Sequence, residues 1–186
     1  MIIKYSFFTV LILILCLLRL GTASARMWKA SPHTLATDYL IINDPRAGGK
    51  DIVLLMWLAS PMVDPATTNA SGVKSILEKT IVILATHGQI DATGKMSFVD
   101  VSLEAKDKTQ PDKPLAAVSK DDLPPVSIAG LTAMQAFFRQ SLGAMGQGLK
   151  MFLFNPGTVS ACKKGGLAAA MEGENYTWET PVPGCN

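Results

Sequence analysis

Residues 80–103 read TIVILATHGQIDATGKMSFVDVSL, and their reading sets the class of the fold. The stretch TIVILAT at 80–86 is rich in β-branched residues, which suit the pleated surface of a sheet. It runs on through His87 to Asp91-Ala92-Thr93-Gly94-Lys95, which has the chemistry of a hairpin turn. Gly94 can take the left-handed conformation that closes such a turn. Residues 96–103 (MSFVDVSL) are then the returning strand.

Upstream, residues 52–59 (IVLLMWLA) form an unbroken apolar run between Asp51 and Ser60-Pro61. That pattern suits a central strand buried on both faces. Residues 37–43 (TDYLIIN) are a shorter strand, separated from it by Asp44-Pro45 and Gly48-Gly49, so the two can pair as a hairpin. Residues 71–78 (SGVKSILE) are long enough for two helical turns.

Downstream, residues 104–125 mix charge, proline and small side chains without periodicity, and read as a long polar loop. Loops of that length are uncommon inside a compact domain. The clearest helix follows. Ile128, Leu131, Met134, Phe138, Leu142, Met145 and Leu149 recur at steps of three and four and make one apolar stripe. Gln135, Arg139 and Gln147 occupy the other face, and Gly143, Gly146 and Gly148 weaken the far end. Residues 150–154 (KMFLF) are a strand turned by Asn155-Pro156-Gly157, and residues 160–186 read as an irregular tail. The expected architecture is therefore α+β: a mixed or mainly antiparallel sheet of about five strands, one long amphipathic helix packed on it, and a disulfide-stapled tail.

The N-terminus carries an address. Lys4 precedes a fourteen-residue apolar run at 5–18 (YSFFTVLILILCLL), and Ala23-Ser24-Ala25 fits the small-x-small pattern of signal cleavage. The run is shorter than the roughly 20 apolar residues that span a bilayer. Residues 1–25 are expected to be a cleavable signal, and 26–186 a single globular domain, periplasmic or secreted, that meets a membrane only during export. Cleavage removes Cys16 and leaves Cys162 and Cys185, an even pair expected to form one disulfide. It also removes Lys4 and Arg19, which balances the 17 Lys+Arg against the 15 Asp+Glu of the full chain. A neutral domain offers no electrostatic case for nucleic acid.

Motifs that carry chemistry are sparse. Residues 143–148 are glycine-rich but have the wrong spacing for a dinucleotide loop, and residues 45–50 are followed by Asp51 where a phosphate loop needs Ser or Thr. Ser141 lies two residues after Arg139, not glycine, so no nucleophile elbow is present. With two histidines and a cysteine pair expected to be oxidised, no metal site is expected, and no cofactor. Asn69-Ala70-Ser71 and Asn175-Tyr176-Thr177 are formal glycosylation sequons. His87, at a strand end, is the catalytic candidate, with Asp91 or Asp100 as its carboxylate. Tyr176 and Trp178, beside Pro181 and two glutamates, are the candidate partner-binding aromatics. The leading expectation is a non-enzymatic exported domain that binds a protein or small-molecule partner. The alternatives are a small hydrolase built on His87 and a membrane-associated protein using the 128–149 stripe.

Overall fold

A computed structural model describes residues 26–28, 40–43, 50–62, 71–111, 113–182 and 185. The expected signal at 1–25, His33, residues 37–39 of the expected first strand, the expected turn at 44–49, and Asn69 and Ala70 of the first sequon lie outside the described residues. The strands are β1 (Arg26–Trp28), β2 (Leu40–Asn43), β3 (Lys50–Trp57), β4 (Ile81–Ile90), β5 (Met96–Val99), β6 (Glu104–Asp107), β7 (Lys150–Phe154), β8 (Gly165–Met171) and β9 (Glu174–Thr180). The helices are α1 (Ser71–Lys79) and α2 (Pro125–Ser141), with short 3-10 turns that include Gly143–Gly148.

The strands form two sheets. In the first, β3 lies between β2 and β4, and every pairing is antiparallel. The far edge of β4 is shared: β7 pairs with its first half, from Ile81 to Ala85, and β5 with its second, from His87 to Ile90. This central position explains the apolar runs, since residues 53–59 and 81–87 are buried throughout. The β4–β5 hairpin turns at Gly94, whose φ of 83° suits a residue without Cβ. The second sheet has the order β1-β9-β8-β6, with β1 parallel to β9 and the rest antiparallel.

The sheets pack face to face, and Trp57 of β3 meets Trp178 of β9 edge-on, with ring centroids 6.3 Å apart at 72°. His87 shares the face of Ile83 and Trp57, because side chains alternate along β4. The other face of β4, with Thr86 and Gly88, is covered by the 143–148 segment. The fit is so close that a Cβ on Gly148 would lie 2.2 Å from Phe98 Cδ1.

Helix α2 starts where Pro124-Pro125 allows it to, proline at the first turn having no amide proton to waste. It packs on α1 and the 143–148 segment, and this segment rather than the helix itself lies along β4. Leu131 and Met134 are buried, while Ile128, Phe138, Leu142 and Met145 are half-buried. The stripe therefore points mostly inward, while Val126 and Phe137 of the same helix are exposed. Among the described residues no helix is long and apolar enough to cross a membrane. Gln135 and Arg139 are not merely solvated: Gln135 Nε2 and Arg139 Nη2 both donate to the Leu149 carbonyl, at 3.1 and 3.0 Å, and fasten the helix to the strand that follows.

The α+β class stands, with antiparallel pairing dominant, but the single sheet of about five strands becomes two sheets. Two segments expected to be irregular supply the difference. The start of the 104–125 loop is β6, where Ala105 and Asp107 point inward while Glu104 is exposed. The tail at 160–186 contains the β8–β9 hairpin, closed by Glu172 and Gly173, both at positive φ. Leu167, Ala169 and Met171 alternate inward along β8, and Tyr176, Trp178 and Thr180 along β9. Alanine and glycine make up most of β8 (GGLAAAM), and their low β-propensity hid the strand.

Candidate functional site

Asp107, the last residue of β6, is a carboxylate turned into the protein and only 5% exposed. Its Oδ1 accepts from the Thr109 amide at 2.7 Å and from the Thr109 hydroxyl at 2.6 Å, a local turn typical of aspartate. Its Oδ2 accepts from the Thr158 hydroxyl, which arrives from the turn after β7. The Lys108 amide donates to the Gly166 carbonyl at 3.1 Å and ties this turn to β8. The Thr109 hydroxyl, then that of Thr158, hold the Asp107 carboxyl below its ordinary value of 3.8, against the opposing effect of burial.

Beside this carboxylate is a polar cavity of about 100 Å³, lined by Asp107, Thr109, Thr158, Lys163, Lys164 and Thr180 among others. Thr180 ends β9 opposite Gly165 and is 6% exposed. Its hydroxyl has no hydrogen-bond partner among the described residues. Lys163 and Lys164 are held in place from both sides. Gly165 opens β8 after them, and before them Cys162 is bonded to Cys185, with the Cα atoms 5.3 Å apart. The Val182 amide also donates to the Ala161 carbonyl at 2.8 Å. The bridge thus closes the open end of the β8–β9 hairpin next to the cavity mouth.

The residues singled out in the sequence fall elsewhere. His87 is buried, with Val53 and Val99 as its cross-strand neighbours, and neither ring nitrogen makes a hydrogen bond. Its nearest carboxylate is Asp51, with Oδ1 3.5 Å from Nε2. Sequence reading missed Asp51 because the two meet only diagonally across the β3–β4 ladder. Asp91 is exposed and builds the hairpin turn, accepting from the Thr93 hydroxyl at 2.6 Å, the Thr93 amide at 2.9 Å and the Lys95 amide at 3.0 Å. The Thr93 hydroxyl, followed by the Lys95 amide, lowers its pKa. Asp100 is exposed and paired with Lys150. Neither has a recorded contact with His87.

Tyr176 and Trp178 are corrected too: they are 0% and 1% exposed, and fill the space between the sheets instead of facing a partner. Among the described residues no three His, Cys, Asp or Glu side chains gather as a metal site. Asp107, Thr158 and Thr180 escaped notice for want of a motif. The local signal was Asp107-Lys108-Thr109, a turn-forming pair inside a segment read as loop.

The Asp107 network makes a testable contribution to stability. Replacing Asp107 with Asn is expected to lower stability at neutral pH by about 1–3 kcal/mol, as hydrogen bonds to a buried charge are lost. The folded pKa is depressed, so the wild-type contribution is complete above 3.8 and disappears as pH falls through the lower folded value. Urea unfolding of both proteins should show their difference shrinking below about pH 4. A difference independent of pH would contradict the assignment.

Comparison with known protein families, with curated proteins and with solved structures returned no match for this chain.

Proposed function

We propose that the chain is an exported domain that binds a small polar molecule in the Asp107 cavity and does not transform it chemically. The observation that carries this reading is a polar cavity lined by a buried carboxylate, Asp107, and by Thr180, a buried residue whose hydroxyl has no partner among the described residues. Leaving a buried polar group unsatisfied costs about 1–3 kcal/mol, which a ligand that reached the hydroxyl would offset. Ligand sites combine a concavity with a few convergent polar groups, and this cavity has both. Export is supported by the 1–25 signal layout, and an oxidising compartment suits the Cys162–Cys185 bridge. The hydrolase reading draws on less, because His87 lies against Val53 and Val99, and its carboxylate, Asp51, is at 3.5 Å.

Intact mass of the exported protein should begin at Arg26. Thermal unfolding of the oxidised protein against millimolar amino acids, amines, carboxylates, phosphate and monosaccharides should find at least one compound that raises Tm. Thr180→Val should fold normally and lose that response. A panel that leaves Tm unchanged throughout, or a response that survives in Thr180→Val, would overturn the cavity as the binding site.

A further inference from the structure

Resting on the reading that the cavity binds a small polar molecule, we infer that its ligand is a small zwitterion, a free amino acid, with its ammonium group on Asp107 and Thr180 and its carboxylate between Lys163 and Lys164. The inference follows from where the protons are. An ionised carboxylate only accepts, so the hydroxyls of Thr109 and Thr158 must both donate to Asp107. Each hydroxyl has one proton, and that proton is spent. What Thr109 and Thr158 have left to offer is lone pairs. Asp107 Oδ2, with one recorded donor, also has accepting capacity to spare. The surroundings of Asp107 are therefore rich in acceptors, carry a buried negative charge, and include one uncommitted hydroxyl, Thr180. Groups of that kind call for a cation that can donate several hydrogen bonds, as a primary ammonium does.

The rim has the opposite character. Lys163 and Lys164 are exposed, adjacent in sequence and, among the described residues, in no ion pair. Two lysines lining one cavity favour an anion. Asp107 itself is in no ion pair among the described residues, so its charge is not neutralised from within the cavity wall. A ligand that satisfies both ends carries its two charges a few bonds apart. The volume of about 100 Å³ admits several waters or a molecule of a few heavy atoms, which matches a small amino acid. Phosphate would bring negative charge against Asp107, a polyamine would face the two lysines, and a neutral sugar would leave both charges uncompensated.

The test is a neutral-pH NMR titration of the oxidised protein with glycine, methylamine, acetate, phosphate and glucose as separate probes. Glycine should shift the amides of Thr109, Gly165 and Gly166, with methylamine and acetate each at least about tenfold weaker. Asp107→Asn and the double variant Lys163→Ala/Lys164→Ala should each weaken glycine about tenfold or more. The second pair of changes is on exposed side chains and keeps the test valid should Asp107→Asn fold poorly. Acetate or phosphate binding as tightly as glycine, or glucose binding in its place, would overturn the zwitterion while leaving a small-molecule site intact. So would methylamine binding as tightly as glycine. No shift with any probe would overturn the zwitterion and the cavity's binding role together.

Discussion

Trp178→Ala is expected to lower the stability of the domain by about 3–5 kcal/mol, the range for deleting a large buried ring. Trp178 is among the largest fully buried side chains, pairs with Leu167 across the β8–β9 ladder, and meets Trp57 across the gap between the sheets. Its loss leaves a cavity at the centre of the sandwich that neither sheet can close without breaking its own hydrogen-bond ladder. Urea unfolding should show a lower midpoint with little change in slope. Trp178→Phe should recover a substantial part of the loss, because an aromatic edge still reaches Trp57. A change below about 1 kcal/mol would mean that the ring is not in the core.

Paired replacement of Cys162 and Cys185 by serine is expected to cost about 3 kcal/mol through the freedom regained by the unfolded chain. For a domain of this size that corresponds to a fall of about 6–12 °C in Tm. The bridge spans a sequence separation of 23, and most of the chain between is the β8–β9 hairpin. Reduction should therefore fray the hairpin's open end, around Ala161 to Gly165 and beyond Thr180, while Tyr176 and Trp178 stay buried in the sheet. Hydrogen exchange can separate the two regions. Early exchange at Tyr176 and Trp178 would show that the bridge, not the sheet, holds them. The same frayed end carries Lys163 and Lys164, so ligand-induced stabilisation should also weaken in the reduced protein.

What the sequence determined by itself was local. The apolar runs at 52–59 and 80–86 identified β3 and β4, because strands buried on both faces need nothing but apolar side chains. The Asp91 to Lys95 turn could be read because its hydrogen bonds join residues no more than four apart. The stripe from Ile128 located α2, since helical periodicity is written within a few turns. Cysteine parity, with Cys16 assigned to the expected signal, pointed to the bridge. Tertiary structure decided the rest. Glu104–Asp107 and Gly165–Met171 are strands because a partner supplies their ladders, an influence not visible in a window of their own residues. The cavity depends still more on distant pairing: Thr158 reaches Asp107 across 51 positions, and Thr180 and the two lysines are brought there by a hairpin and its bridge. Periodicity records which face of an element is buried. It cannot record which elements meet, and binding chemistry arises where they do.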